Sequence, residues 1–211
     1  MLSKAYQRVM GHPFVYDRIR PFLLGGLDVS AFYDALGVTE DDIVLDVGCG
    51  TGNALDYLQR FRSYWGFDTD PVAIDSAKKR TVPAGQHVEF ACAPCTEADV
   101  ARIKPSIVVM CGVLHHLSDE HSVSLLRSVA GSAHFSRLGT LDVVYLPGTS
   151  HWLSNVLAAF DRGRFVRRQA EYRELVDRAG LCLKDESLHW NHPTRHIARY
   201  YMMRVEATPE R

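Results

Sequence analysis

Residues Ile43-Val44-Leu45-Asp46-Val47-Gly48-Cys49-Gly50-Thr51-Gly52-Asn53 pass from an apolar run through one acid into a glycine at every second position. Ile43, Val44, Leu45 and Val47 have the two-faced apolar pattern of a strand buried in a parallel sheet. Gly48, Gly50 and Gly52 follow where the chain must turn sharply into a helix. Lacking Cβ atoms, they let a ligand lie against the backbone amides at that helix's positive end. Two nucleotide-binding patterns fail here: the dinucleotide fingerprint needs a glycine where Asn53 stands, and no G-x-x-x-x-G-K-[ST] occurs. Asp46, just before the turn, would repel a phosphate but could accept hydrogen bonds from an ammonium group.

Working outward, apolar runs recur at the spacing of alternating strands and helices, which predicts a doubly wound α/β sheet. The first strand spans 42–47 and a helix 52–60. A second strand runs from Ser63 to Phe67 and ends at Asp68. Pro71 opens a helix to about Arg80 with Asp70 as its cap. His87 to Cys92 is a third strand and 105–111 a fourth, central one. Ser118-Asp119-Glu120 caps a helix to about Ala130, and a fifth strand covers about Thr140 to Leu146. Arg167 to Ala179 is an amphipathic helix stopped at Gly180, and strands at about 181–189 and 195–205 flank the turn Asn191-His192-Pro193. The sum is a Rossmann-like, seven-stranded, mostly parallel sheet with a C-terminal antiparallel hairpin and helices on both faces.

Two pieces stand outside the alternation. Residues 1–37 read as an N-terminal helical lid, and 147–166 as a lid inserted in the main domain, 38–211. Their aromatic residues, His12, Phe14, Tyr16 and Tyr33 with His151, Trp152, Phe160 and Phe165, are candidates to wall a pocket. Arg162, Arg164, Arg167 and Arg168 read either as a solvated basic helix start or as partners of a substrate anion.

The 211 residues are 46% hydrophobic and 23% charged, as in a globular protein, and 24 basic against 25 acidic residues give a net charge of −1. That balance provides no electrostatic pull toward nucleic acid or anionic membrane. The first residues show no apolar core of signal length and no stretch reaches membrane-helix length, so a cytoplasmic protein is expected, as a monomer or homodimer. The five cysteines, at 49, 92, 95, 111 and 182, are odd in number and scattered. Cys92-Ala-Pro-Cys95 has C-x-x-C spacing, but no second pair with zinc spacing follows it.

Two further stretches carry chemistry. Asp68, in Gly66-Phe67-Asp68-Thr69-Asp70-Pro71, lies 20 residues after Gly48, where a carboxylate can accept from both ribose hydroxyls. The run Val108-Val109-Met110-Cys111-Gly112-Val113-Leu114-His115-His116-Leu117-Ser118-Asp119 is a buried strand ending in paired histidines before a capped helix. With the strand, acid and G-x-G-x-G at 43–52, these stretches resemble class I S-adenosylmethionine-dependent methyltransferases of the small-molecule, natural-product type, over roughly residues 42–205.

The resemblance implies S-adenosylmethionine as cofactor, a small-molecule methyl acceptor and no resident metal. Its cofactor site would comprise Asp46, Gly48, Cys49, Gly50, Gly52 and Asn53; Asp68 and Thr69; and Cys111 and Gly112 at the methionine end. Tyr16 would close over the methionine carboxylate. Such enzymes often place an acid after the third strand for the adenine amino group. Here Pro94 and Cys95 stand there, leaving backbone groups near Ala93 to Cys95 for that contact. His116, and less directly His115, would approach the acceptor as a general base, with Asp142 of the fifth strand nearby. In-line transfer to a hydroxyl is the leading expectation. N-methylation and a non-catalytic S-adenosylmethionine-binding module remain alternatives.

Overall fold

Every strand of the predicted sheet is present, and a short additional one joins it. The computed structural model describes residues 27–82, 85–159, 161, 163–190 and 199–208. β1 (Ile43–Val47) lies inside the sheet, parallel to β2 (Ser63–Asp68) on one side and to β4 (Ile107–Cys111) on the other. β3 (His87–Cys92) extends the sheet beyond β2, and β5 (Arg137–Tyr145) extends it beyond β4, both parallel. β8 (Arg199–Ala207) then pairs antiparallel with β5, and β7 (Leu181–Trp190) antiparallel with β8. The order is β3-β2-β1-β4-β5-β8-β7, and the two-residue β6 (Arg167–Arg168) pairs with the end of β5, making eight strands where seven were expected.

The two-residue alternation of β1 distributes the core. Leu45 and Val47 join the cluster holding Val100 and Ile103 of α3 (Glu97–Ile103), Leu126 and Val129 of α4 (Asp119–Ala130), and Leu175 and Val176 of α6 (Gln169–Arg178). Val44 points the other way, into the cluster holding Phe32 and Leu36 of α1 (Ser30–Leu36) and Ile74 and Ala77 of α2 (Pro71–Ala77). Helices therefore cover both faces. An acid at position 46 falls on the α1 and α2 side, as the period of two dictates.

Several boundaries differ from expectation. No α-helix fills 52–60; one 3-10 turn, Asn53–Asp56, replaces it. Arg80 crosses from the end of α2 to hold the Thr51 carbonyl at 2.6 Å, the Asp56 carboxylate at 2.6 Å, and Asn53. Buried Leu58 and Phe61 then carry the chain straight into β2. The α3 helix was not anticipated, although Thr96 and Asp99 form a reciprocal capping box at its start. Asp70 caps α2 as expected, accepting from the Val72 amide at 2.9 Å. The fifth helix, α5 (Trp152–Ala159), lies within the expected 147–166 insertion. The turn at 191–193, Tyr16 and most of 1–37 lie outside the described residues. Among the described residues, no helix is long and apolar enough to cross a membrane.

The described end of 1–37 packs into the core: Phe32 and Leu36 are 0% and 1% exposed. Gly139 of β5 makes that approach possible, since a Cβ there would lie 2.8 Å from Leu36 Cδ2 and 2.9 Å from Phe32 Cε2. Gly139→Ala is therefore expected to lower stability by about 1–3 kcal/mol through overpacking, measured as a lower urea midpoint. An unchanged midpoint would show that α1 is held elsewhere.

Candidate active site

A cavity of about 820 Å³ opens at the carboxyl ends of β1, β2 and β4, within the size range of small-molecule and cofactor sites. It is lined by Asp46, Gly48, Cys49, Gly50 and Asn53 from the glycine turn, Asp68 and Thr69 after β2, Pro94 and Cys95 after β3, and Cys111, Gly112 and His116 after β4. Every expected cofactor residue is on this wall except Gly52, and Tyr16, which is outside the described residues. Tyr33 of α1 also lines it, a residue sequence reasoning had placed only as lid aromatic.

The glycine turn is built by backbone pairing. Gly48 and Cys49 both donate to the Phe67 carbonyl, at 2.7 and 3.0 Å. Gly48 has φ +72°, and a Cβ on it would meet Val113 Cγ2 at 2.7 Å, so the position excludes side chains by both conformation and space. Asp68 fastens the turn to β2: its Oδ2 accepts from the Gly50 amide at 2.8 Å and its Oδ1 from the Asp70 amide at 2.9 Å. Each oxygen keeps a lone pair for a further donor. The expected array of amides at a long helix's positive end is absent because the 3-10 turn replaces that helix. On this side, the polar groups facing the cavity come from the turn itself and from Asp68.

Asp46 is 3% exposed and accepts a hydrogen bond from Tyr64. Burial raises its pKa to about 7, partly offset by the Tyr64 hydrogen bond and reinforced by the nearby Asp68 carboxylate. The Tyr33 phenol is held well above its ordinary range, first by burial and then by the Asp46 charge. Burial and Asp46 likewise push the Cys111 thiol up to about 12. This end of the cavity therefore carries a desolvated carboxylate among groups that resist becoming anions, which suits a cationic ligand group.

The paired histidines have different surroundings. His116 lines the cavity, whereas His115 is buried behind it, with the ring centroids 4.2 Å apart. Asp142 engages His115 rather than His116, its Oδ1 lying 2.7 Å from Nδ1 and accepting the His115 amide at 3.2 Å. Asp142 Oδ2 has no hydrogen-bond partner among the described residues. On the other side, His115 Nε2 lies 3.3 Å from Asp161 Oδ1. Burial works against the imidazolium, but the hydrogen bonds to Asp142 and Asp161 outweigh it and raise the pKa to about 9.

The segment after α5 closes tightly over this pair. Phe165 donates its amide to the His115 carbonyl at 3.0 Å. A Cβ on Gly163 would fall 2.2 Å from His115 Cδ2 and 2.6 Å from its carbonyl oxygen. Arg167 corrects the expectation of a solvated or substrate-facing cation. It is 5% exposed and spends its donors on the Leu114 and Leu117 carbonyls, each at 2.7 Å, the Phe165 carbonyl at 3.0 Å, and Asp119 at 2.6 and 2.9 Å. Sequence reasoning missed Asp161, Arg80 and this use of Arg167, because their partners lie 24 to 53 residues away in the chain. Arg162 and Phe160 lie outside the described residues.

Comparisons with known proteins agree with this architecture. Residues 44–133 match the family described as methyltransferase domain. A 123-residue stretch is 30% identical to phosphoethanolamine N-methyltransferase 3 of Arabidopsis thaliana, covering 54% of this chain but only 23% of that relative. Among solved structures, magnesium protoporphyrin IX methyltransferase of Synechocystis PCC 6803 with bound SAH superposes with a TM-score of 0.63 at 19% identity, over 96% of this chain and 92% of that one. The cyclopropane synthase MmaA2 of Mycobacterium tuberculosis gives 0.61 at 13% identity, over 76% and 61%.

Arg167→Ala should leave the carbonyls of the histidine turn without their charged donor and cost about 2–3 kcal/mol, as for hydrogen bonds to charged groups. Urea unfolding at neutral pH checks this; a loss below about 0.5 kcal/mol would mean that the turn holds its shape unaided.

Proposed function

We propose that this chain, which matches the methyltransferase domain family over residues 44–133, binds S-adenosylmethionine in the cavity at the ends of β1, β2 and β4 and passes its methyl group to the hydroxyl of a small molecule. One observation carries the reading: a single cavity is walled by the acid, glycine-turn, Asp68 and histidine residues that the sequence resemblance nominated separately. In this reading Asp46 accepts from the methionine ammonium. Asp68 meets the ribose, and the backbone from Ala93 to Cys95 borders the adenine. The sulfonium then lies near Cys111 and Gly112, facing the acceptor beside His116.

His116 is the histidine at the cavity wall, so it is the one that takes the acceptor's proton as the methyl group arrives. His115, Asp142 and Asp161 act behind it as a positioning unit. Close in-line approach contributes the larger part of the rate, since a sulfonium is already activated. Tyr33, in the described end of 1–37, lines the cavity and bears on which small molecules fit. Transfer to an amine is the second reading, favoured by the relative described as phosphoethanolamine N-methyltransferase 3.

Calorimetry with S-adenosylhomocysteine should show binding and NAD should show none; the reverse would sink the cofactor assignment. The Asp46 pKa of about 7 fixes a pH dependence. Only the carboxylate pairs with an ammonium, so affinity should be full above that pH and fall below it, approaching about tenfold per pH unit. Asp46→Asn should flatten the profile and weaken binding by about 10- to 100-fold. Turnover of tritiated S-adenosylmethionine on a pooled metabolite library should drop about 100-fold or more in His116→Ala while S-adenosylhomocysteine still binds. Equal turnover would remove His116 as the base.

A further inference from the structure

One buried histidine stands between two buried carboxylates. The side chains of His115, Asp142 and Asp161 are 4%, 1% and 0% exposed. With protons on both His115 nitrogens the three groups sum to −1, so the cluster favours added positive charge. A dication in place of the Nε2 proton brings the sum to zero.

The geometry of the cluster has the form of a metal centre. The ligating atoms of His115, His116 and Asp161 all lie within 4.8 Å of one another. His115 Nε2 and Asp161 Oδ1 are 3.3 Å apart, about the ligand-to-ligand edge of a tetrahedron whose bonds are about 2.0–2.1 Å long, as around zinc. Asp142 Oδ1, 2.7 Å from His115 Nδ1, supplies the outer carboxylate that fixes a histidine's tautomer and leaves Nε2 for an ion. Asp161 is held in turn by the Gly163 amide at 2.9 Å.

We propose that His115 Nε2, His116 and the Asp161 carboxylate together bind one divalent transition-metal ion of the zinc type, with Asp142 as the orienting outer carboxylate. Two imidazoles and one carboxylate are a donor set for zinc or cobalt rather than for magnesium or calcium. Because His116 also lines the cavity, the open coordination position faces it. The catalytic consequence, and only that, rests on the function proposed above: the ion lowers the pKa of the acceptor hydroxyl, whose proton passes to solvent as the methyl group arrives, and His116 then serves as ligand in place of base.

The test uses the full chain, stripped with EDTA and desalted, titrated with zinc chloride by calorimetry and with cobalt chloride by visible absorption. One ion per chain is expected, with the intense visible bands of tetrahedral cobalt. Asp142→Asn should weaken zinc binding about 10- to 100-fold, and Asp161→Asn and His116→Gln should weaken it further. S-adenosylhomocysteine binding, measured on the same samples, reports that each variant is folded. No ion bound by the wild type would overturn the proposal. Undiminished zinc affinity in all three variants would overturn it equally, placing the ion elsewhere. Zinc binding without S-adenosylhomocysteine binding would retain the metal site and dismiss the methyl-donor reading.

Discussion

The parallel pairing of β1 with β2 on one side and β4 on the other is the constraint on which everything else depends. From β1 the chain winds outward through β2 and β3, then returns to place β4 against the opposite edge of β1. The connections leaving the ends of β1 and β4 must therefore diverge, and a crevice opens between them. The Asp46 to Asn53 turn and the Cys111 to His116 turn face each other there because the register aligns Asp46 with Gly66 and with Val109. The cavity follows from strand order, and its chemistry from which residues occupy the last positions of each strand.

Those residues concentrate negative charge in a chain with almost none overall. Asp46 stands at one end of the cavity, and the Asp142–His115–Asp161 unit behind the other. Carboxylates so removed from water are costly alone, which makes each a place where positive charge is welcome. The protein provides its own cation where none need enter: Arg167 is spent on the histidine turn, and Arg80 on the glycine turn. At Asp46 the hydrogen bond comes instead from the neutral Tyr64, and among the described residues no cation pairs with it.

What could be read in advance was what local pattern controls. Apolar runs marked the strands, glycines marked the positive-φ turn at Gly48, Gly50 and Gly52, and Asp70 before Pro71 marked a helix start. The helix expected at 52–60 failed because Arg80, from beyond β2, clamps Thr51, Asn53 and Asp56 into a shorter turn. α3 was overlooked although Thr96 and Asp99 carried its capping signal. β6 has two residues, too few for any period. The fine structure of the site was hidden for a different reason. That Asp142 chooses His115 over its neighbour, and that Arg167 turns inward, depends on contacts across 27 to 53 residues that no spacing rule encodes.

Asp46 has a kinetic side as well. A carboxylate that recognises an ammonium reads a part of the proposed donor that methyl transfer leaves untouched, so it grips the spent sulfur compound as firmly as the fresh one. The charge that disappears in the proposed reaction belongs to the sulfonium, which that reading sets near Cys111 and Gly112. Discrimination between the two must come from there, and without it departure of the by-product sets the pace of the cycle.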